Sequence, residues 1–334
     1  MTLEADILAA FPAEVRIPAR LVADAVAASS AETLRMLVVL DDDPTGTQSV
    51  ADLPVLTRWD VEDFVWAFRH IVQSNCKPAV YVLTNTRSLD PAEAAARNGE
   101  VVRNALAAAG SADTGAGSSL RLGFVSRSDS TLRGHYPLEP DVIAATVEAV
   151  TGESTDGVVL VPAFPDAGRV TIGGVHYMRG TGADAGTLTP VSKTEFAKDA
   201  SFGFANSEMA KYVEEKSQGR FPASDVIVLD LDIIRAGASS DGTDGDPAVS
   251  AKAIADALDG ATNSRPIVAD IVTENDLRAL SLGLEEAERR GKKLLYRVGP
   301  PFVRARIGQE IRTELSTEEA FQGNTPSTAG GLIV

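Results

Sequence analysis

The chain contains seven short runs of apolar residues, each bounded by polar or turn-forming residues. Each run is almost continuously apolar, whereas a strand with one face in water alternates apolar and polar positions. We therefore predict that these runs are strands buried on both faces of a parallel sheet. They are MLVVL (36–40), AVYVLT (79–84), LRLGFVS (120–126), GVVLVPA (157–163), VIVLDLDII (226–234), PIVADIV (266–272) and KLLYRV (293–298).

Segments with apolar residues at helical spacing lie between these runs. Asp90, Pro91 and Glu93 place an N-cap, a proline at the first helical position and an early carboxylate in their preferred order. Thr273 and Asp276 have the spacing of a capping box. The predicted helices are 61–74, 91–109, 138–150, 207–217, 249–260 and 275–291. The alternation predicts an α/β fold with a mainly parallel sheet, helices on both faces and a Rossmann-like three-layer architecture.

Composition and charge narrow the classes of partner. The 334 residues are 44% hydrophobic and 23% charged, which is typical of a globular protein. The 31 basic residues stand against 47 acidic ones, and the net charge of −16 opposes binding to nucleic acid or to an anionic membrane. The single cysteine, Cys76, excludes an internal disulfide, and no basic leader or long apolar stretch is found. We therefore expect a cytoplasmic protein with no nucleic-acid or membrane partner.

Four polar clusters follow four of the predicted strands. Ligands of α/β sheets bind beyond the carboxyl ends of the strands, so this is where a binding site is expected. Each cluster combines a hydroxyl or a carboxylate with an arginine or a glycine. The clusters are DDDPTGTQ (41–48), TNTRSLD (84–90), SRSDSTLRGH (126–135) and PAFPDAGRVTIGGVHY (162–177).

The first cluster fits a phosphatase motif. Asp41, Asp43 and Thr45 satisfy the D-x-D-x-T pattern of haloacid-dehalogenase-type phosphatases, in which the first carboxylate attacks phosphorus. A second D-x-D, Asp230 and Asp232, has no threonine at the required place. The pattern is therefore incomplete, and a magnesium-dependent phosphatase stays an alternative.

Within nine residues the third cluster combines the cations of Arg127 and Arg133 with the carboxylate of Asp129 and the hydroxyls of Ser130 and Thr131. Arginine matches a carboxylate ligand, whereas Asp, Ser and Thr match the hydroxyls of a polyol, so the set suits a sugar acid. Arg87 and Arg169 add cations from the neighbouring clusters. For His135 and His176 we favour a plain polar contact over the role of general base. The sequence has no G-x-x-x-x-G-K-[ST] or G-x-G-x-x-G nucleotide motif.

Several motifs together resemble the four-carbon acid sugar kinases, which are ATP-dependent kinases of threonate- and erythronate-like acids. The motifs are DDxTG at 42–46 (read as D-D-P-T-G), T-x-T-R at 84–87, DSTLRG at 129–134, PAFP-x-x-GR at 162–169 and the stretch PVSKTEFAKDASFGFANS. The resemblance implies an N-terminal domain that binds the sugar acid and a C-terminal domain that supplies most of the ATP site. It divides the chain into an N-terminal extension (1–35), a sugar-acid-binding domain (36–298) and the start of a truncated nucleotide-binding domain (299–334).

The resemblance also implies roles for individual residues. Asp42 and Asp43 become the catalytic residues, of which one is the expected base, and ATP and Mg²⁺ become the cofactors. The residues expected to bind the substrate are Thr45, Gly46, Arg87, Arg127, Asp129, Ser130, Thr131, Arg133 and Gly134. Arg87 and Arg133 could instead be structural ion-pair partners of the aspartates, and the chain could be a non-catalytic module that binds sugar acids. Assembly as a homodimer is left open.

Overall fold

The structure is a computed structural model that describes residues 2–29, 34–74, 76–111, 120–239, 244–312 and 316–321. Its strands are β1 (Thr2–Leu3), β2 (Arg35–Asp41), β3 (Val55–Leu56), β4 (Ala79–Leu83), β5 (Arg121–Arg127), β6 (Gly157–Val161), β7 (Arg169–Ile172), β8 (Val175–Arg179), β9 (Thr187–Pro190), β10 (Ile227–Leu229), β11 (Arg265–Ala269) and β12 (Leu294–Val298). Its helices are α1 (Glu4–Leu8), α2 (Ala19–Ser29), α3 (Val61–Ser74), α4 (Pro91–Ala109), α5 (Leu138–Thr151), α6 (Met209–Lys216), α7 (Leu231–Ile234), α8 (Pro247–Leu258), α9 (Glu274–Arg289), α10 (Pro301–Arg306) and α11 (Thr317–Phe321).

The main sheet has eight parallel strands in the order β10-β11-β6-β12-β5-β2-β4-β3. Both of its faces are buried, because successive side chains of a strand point to opposite sides. In β2, Leu37 and Val39 pack into one apolar cluster, whereas Met36, Val38 and Leu40 pack into the other. This explains why the strands are continuous apolar runs in the sequence.

Helices cover the sheet on both sides. Helices α2, α8, α9 and α10 pack on the face of Leu37 and Val39, and helices α3, α4, α5 and α6 pack on the opposite face. The predicted three-layer α/β architecture is confirmed. Each of the seven predicted strands and six predicted helices overlaps an observed element, and apart from the run 226–234 no end shifts by more than three residues.

The two predicted helix starts are confirmed in atomic detail. The Asp90 carboxylate accepts hydrogen bonds from the backbone N–H groups of Ala92 (2.8 Å) and Glu93 (3.0 Å) at the start of α4. At α9, Thr273 Oγ1 accepts from the N–H of Asp276 (3.3 Å), and the Asp276 carboxylate accepts from the N–H of Thr273 (3.0 Å). Both caps satisfy N–H groups that have no partner inside the helix.

The prediction of a strand through residue 234 is wrong. Strand β10 ends at Leu229, and Asp230 then caps α7 by accepting a hydrogen bond from the N–H of Ile233 at 3.0 Å. The capping side chain starts a helix where the apolar pattern alone suggested a longer strand. Asp230 is thus a helix cap.

A second, antiparallel sheet has the strand order β1-β9-β8-β7 and was not predicted. Val170, Ile172 and Leu188 from its strands pack with Leu231 and Val272 in a third apolar cluster. The sheet lies beside the main sheet, and backbone hydrogen bonds join Thr171 of β7 to Ile271, which follows β11.

The described parts of residues 1–35 pack against this core. Strand β1 pairs with β9, and Val22 of α2 is buried on the face of the main sheet that α9 also covers. The end of the predicted nucleotide-binding segment, GGLIV, lies outside the described residues, and the domain boundaries stay predictions. No helix in the described ranges is both long and apolar enough to cross a membrane.

Candidate functional site

Strand register brings the first three polar clusters together at the carboxyl edge of the main sheet. Asp41, the last residue of β2, lies opposite Leu83 at the end of β4 and opposite Arg127 at the end of β5. Arg127 in turn lies opposite Val298 at the end of β12. The clusters that follow these strands are therefore neighbours, as the sequence predicts.

Asp41 and Arg127 form a fully buried ion pair. Arg127 Nε donates to Asp41 Oδ1 at 2.5 Å, and its Nη2 donates to the backbone oxygen of Asp43 at 2.7 Å. The Asp41 side chain is 0% exposed, and Gly46 lies so close that a β-carbon there would be 2.1 Å from both carboxylate oxygens. Burial raises the pKa of Asp41 to about 6, although the charge of Arg127 opposes this. Asp41 has no path to a ligand in this arrangement, which argues against its use as a phosphatase nucleophile.

Arg87 holds the next two aspartates. Its Nη2 and Nε donate to the two carboxylate oxygens of Asp42 at 2.6 and 3.2 Å, and its Nη1 donates to Asp43 Oδ2 at 3.3 Å. The Asp42 side chain is only 2% exposed, and burial raises its pKa although Arg87 and Arg127 act in the opposite direction. Arg87 is 18% exposed, so part of its guanidinium faces solvent. Arg87 is thus an ion-pair partner of both aspartates whose side chain is only partly buried.

Asp43 is the accessible aspartate of the three, with 27% of its side chain exposed. Its Oδ1 accepts hydrogen bonds from the backbone N–H of Thr45 at 2.9 Å and from Thr45 Oγ1 at 2.5 Å. Partial burial would raise the pKa of Asp43, but these bonds and the charge of Arg87 outweigh it, and the pKa is lowered. Asp43 is therefore ionised at neutral pH and can accept a hydrogen bond from a ligand hydroxyl.

A second carboxylate–guanidinium pair comes from the loop after β5. Arg133 Nε donates to Asp129 Oδ2 at 2.6 Å, and Thr131 Oγ1 donates to the same oxygen. Burial would raise the pKa of Asp129, but these donors outweigh it and lower the pKa. The Arg133 side chain is 31% exposed and stacks on Phe196, with its guanidinium carbon 5.0 Å from the ring centre. Ser130 is buried beside them, and its backbone oxygen accepts a hydrogen bond from His176 Nε2.

Gly134 lies where the loop approaches the aspartates. Its φ of 115° is a conformation that residues with a β-carbon rarely adopt. A β-carbon at this position would be 3.0 Å from Asp42 Oδ2 and 2.8 Å from Arg297 Nη2. Glycine therefore permits the close approach of the loop to the Asp42 carboxylate and the Arg297 guanidinium.

A buried network beneath the loop was missed by the sequence analysis. Arg297 of β12 forms an ion pair with Glu139 of α5, and its Nη1 also donates to Ser126 Oγ at 2.7 Å. Glu139 accepts further hydrogen bonds from Thr86 and Asn98. An arginine inside the otherwise apolar run KLLYRV was the available signal, because a charge on a buried strand requires a partner.

Neither histidine is placed as a general base. His135 Nε2 lies 3.1 Å from the backbone oxygens of both Thr86 and Leu89. His176 is fully buried and contacts the backbone oxygen of Ser130. Since carbonyl oxygens only accept, these ring nitrogens carry hydrogen and donate. The interpretation of both residues as polar contacts is confirmed.

The fourth cluster contributes less directly to the site. Arg169, the first residue of β7, donates from Nη1 to the backbone oxygen of Ala167 at 2.8 Å. Pro162 lines a cavity of about 20 Å³ together with Asp129, Arg133 and Arg297. Most of the remaining cluster forms the hairpin of β7 and β8.

The described residues do not fit a dedicated metal site. Within these ranges, no group of three or more His, Cys, Asp or Glu side chains is arranged to hold an ion. Asp41 and Asp42, the carboxylates nearest the sheet, already form ion pairs with arginines. We therefore assign no residue to Mg²⁺.

A comparison with protein families gives a match over most of the chain. A family model described as a sugar-binding N-terminal domain matches residues 37–306, which include every residue of the site. The chain belongs to the four-carbon acid sugar kinase family. A comparison with curated proteins gives no match.

Solved structures show the same fold at low sequence identity. A Bordetella bronchiseptica domain of unknown function, crystallised with bound citrate as a domain-swapped dimer, is 20% identical with a TM-score of 0.53. The match covers 82% of this chain and 56% of the other. A Haemophilus influenzae protein of the DUF1537 family model is 16% identical (TM-score 0.51; 81% and 55% covered). A putative tRNA synthase from Salmonella typhimurium is 17% identical (TM-score 0.50; 83% and 55% covered). The chain thus spans slightly more than half the length of these neighbours.

Proposed function

We propose that this chain is the sugar-acid-binding part of an ATP-dependent kinase that phosphorylates a hydroxyl of a threonate- or erythronate-like acid. The observation that carries the proposal is a pair of partly exposed ion pairs at one edge of the sheet, Asp43–Arg87 and Asp129–Arg133. Each carboxylate can accept from a ligand hydroxyl, and each guanidinium can donate to a ligand carboxylate or phosphate. A small molecule that carries hydroxyl groups together with a carboxylate or a phosphate matches this arrangement of acceptors and donors.

The charge distribution supports an anionic ligand. The protein has a net charge of −16, which repels anions at long range. The site nevertheless exposes part of two arginine side chains, Arg87 and Arg133, whereas Arg127 and Arg297 are buried in ion pairs with Asp41 and Glu139. Citrate bound to the Bordetella neighbour is itself a hydroxy acid, which fits the same chemistry.

In the proposed reaction Asp43 accepts the proton of the attacking hydroxyl. Phosphoryl transfer depends mainly on positioning and electrostatic stabilisation, with an aspartate commonly placed at the substrate hydroxyl. Asp43 is ionised and accessible, whereas Asp42 is buried behind Arg87. Asp42 then orients Arg87 toward the ligand. ATP with Mg²⁺ is the proposed phosphoryl donor, and we place neither on residues of this chain.

Ligand binding tests the proposal directly. We expect isothermal titration calorimetry to detect binding of D-threonate or D-erythronate, and threitol, which lacks the carboxylate, to bind more weakly. Arg133→Ala and Asp43→Asn should each weaken acid binding about tenfold, because each removes a hydrogen bond to a charged group. Arg58→Ala is the matched control, since Arg58 is exposed and pairs with Asp63 at 3.0 Å. Equal affinity of all variants for the acid would exclude this site.

An assay of ATP consumption separates the kinase from a non-catalytic binding module. The complete protein should convert ATP to ADP only when the sugar acid is present, and Asp43→Asn should abolish most of this turnover. Acid binding without any acid-dependent ATP consumption would favour the binding module.

The proposal includes a cytoplasmic location and a homodimer. Light scattering of the purified chain tests whether it assembles as a dimer.

A further inference from the structure

One buried side chain joins the hairpin of β7 and β8 by a hydrogen bond to residues 129–134 of the loop after β5, which we call the ligand loop. His176 of β8 is fully buried, and its Nε2 donates to the backbone oxygen of Ser130 at 2.8 Å. Its Nδ1 lies 3.0 Å from Thr171 Oγ1 on the neighbouring strand β7. We propose that His176 is a positioning residue that holds the Asp129–Arg133 segment in its ligand-binding conformation. This inference rests on the proposed function, because it concerns the same ligand loop.

The hydrogen-bond partners determine the state of the imidazole. A carbonyl oxygen only accepts, so Nε2 must carry the hydrogen, and Nδ1 then accepts from the Thr171 hydroxyl. Burial lowers the pKa of His176 to about 4, although the bond to Ser130 opposes this. The ring is therefore neutral at physiological pH and donates one hydrogen bond in a fixed direction. Thr171 sets that direction by occupying the other nitrogen.

The ligand loop has a conformation that requires such a restraint. Leu132 has φ of 68° and Gly134 has φ of 115°, and leucine is disfavoured in this region because its β-carbon crowds the backbone. A second buried donor also holds the loop, since Tyr212 Oη donates to the backbone oxygen of Leu132 at 3.1 Å. Two tethers thus fix carbonyl groups on either side of Thr131. Without them the loop can relax to conformations that separate Asp129 from Arg133.

The hairpin is itself fixed to the main sheet. The backbone N–H groups of Thr171 and Ile271 each donate to the other residue's oxygen, at 2.9 and 3.0 Å. The Asp270 carboxylate accepts from the N–H groups of Gly173 (2.6 Å) and Gly174 (2.9 Å) in the hairpin turn. The restraint therefore runs from the end of β11 through the hairpin to the loop. The fourth polar cluster (162–177) thus supports the third (126–135).

Substitutions at His176 test the restraint. His176→Leu removes the donor, whereas His176→Gln keeps an N–H group that can reach the Ser130 oxygen. We expect His176→Leu to weaken D-threonate binding about tenfold and to accelerate hydrogen exchange of the amides of residues 129–134. His176→Gln should recover most of both losses. Tyr177→Phe is the control, because it changes the next residue of the same strand, which packs in the cluster of the small sheet.

The outcomes distinguish this inference from the proposed function. Unchanged exchange of residues 129–134 and unchanged affinity in His176→Leu would overturn it. If the wild-type chain binds no sugar acid, the proposed function fails, whereas the exchange rates still decide whether His176 restrains the loop. If His176→Leu does not fold, Tyr212→Phe and His176→Gln supply the comparison. Wild-type exchange of residues 129–134 in Tyr212→Phe, together with a complete loss of D-threonate binding in His176→Gln, would then contradict a role for these tethers.

Discussion

Replacement of Gly46 by alanine should destabilise the protein through one defined contact. Gly46 is buried and does not have a positive φ, so its backbone conformation allows alanine. The added methyl group would lie 2.1 Å from both carboxylate oxygens of Asp41, whereas ordinary contacts begin near 3.4 Å. Either the turn or the carboxylate must therefore move by more than ~1 Å. The cost arises in the folded state, at the pair of Asp41 and Arg127.

The size of the effect depends on which group moves. If the turn shifts and the ion pair survives, overpacking of this kind costs about 1–3 kcal/mol. If the carboxylate leaves Arg127, a buried ion pair is broken, which costs about 3–5 kcal/mol. Because domains are stable by only about 5–15 kcal/mol, either value is measurable in the free energy of unfolding. We expect Gly46→Ala to lower it by about 1–5 kcal/mol.

Urea unfolding followed by circular dichroism measures this difference. The urea midpoint should fall while the denaturant slope stays near that of the wild type, because the exposed surface is nearly unchanged. Gly260→Ala is the control, since a β-carbon there meets nothing within 4 Å and its φ is not positive. That variant should stay within about 0.5 kcal/mol of the wild type or be slightly stabilised. Equal midpoints for the two variants would refute the steric reasoning.

Two further predictions concern groups outside the site. Burial raises the pKa of Asp270 from 3.8, its value in the unfolded chain, to about 6, although backbone N–H groups oppose this. The contribution of Asp270 to stability is therefore fully present below about pH 3.8 and is lost as the pH rises through about 6. Asp270→Asn should therefore flatten the fall of the unfolding free energy between about pH 4 and 6, as measured by urea titrations at several pH values, and an unchanged slope would contradict the assignment. Thr273→Ala should cost about 1 kcal/mol because the N-cap oxygen of α9 is lost, whereas Thr273→Ser keeps it. Thermal unfolding compares the two, and equal midpoints would show that the cap contributes nothing.

The main sheet could be predicted from sequence because each of its longer strands is buried on both sides. Such a strand has to be apolar at nearly every position, and this produces runs such as MLVVL and GVVLV that stand out from helical spacing. The helices were found for a similar reason, because one apolar stripe faces the sheet and a capping residue marks the start. Asp90 and Thr273 are such starts.

The antiparallel sheet could not be predicted by the same reasoning. Its strands β7 and β8 are four and five residues long and are joined by Gly173 and Gly174, so the segment has the composition of a turn. Strand β1 pairs with β9 across more than 180 residues of sequence, and no local pattern specifies that partner. Strand β3, with two residues, is too short to leave a periodic signal.

The proximity of the first three polar clusters followed from the sequence, whereas the accessibility of their residues did not. Strand ends predicted that Asp42, Arg87 and Asp129 would be neighbours. Which of them a ligand can reach depends on side chains from distant segments, such as Arg297 pairing with Glu139 beneath the loop. It also depends on Gly46 covering Asp41. Both facts are tertiary and have no counterpart in the local motif.

The geometry of a strand explains why three consecutive aspartates can have three different roles. Successive side chains of β2 point to opposite faces, so Asp41 lies on the face of Leu37 and Val39 and meets Arg127, which the same alternation places on that face of β5. Asp42 follows the last strand residue and meets Arg87 from the loop after β4. Asp43 lies one residue further from the sheet and keeps part of its carboxylate in solvent. Two aspartates are thus buried against arginines, whereas the third, which also pairs with Arg87, keeps part of its carboxylate in solvent, where the proposed reaction places the ligand hydroxyl.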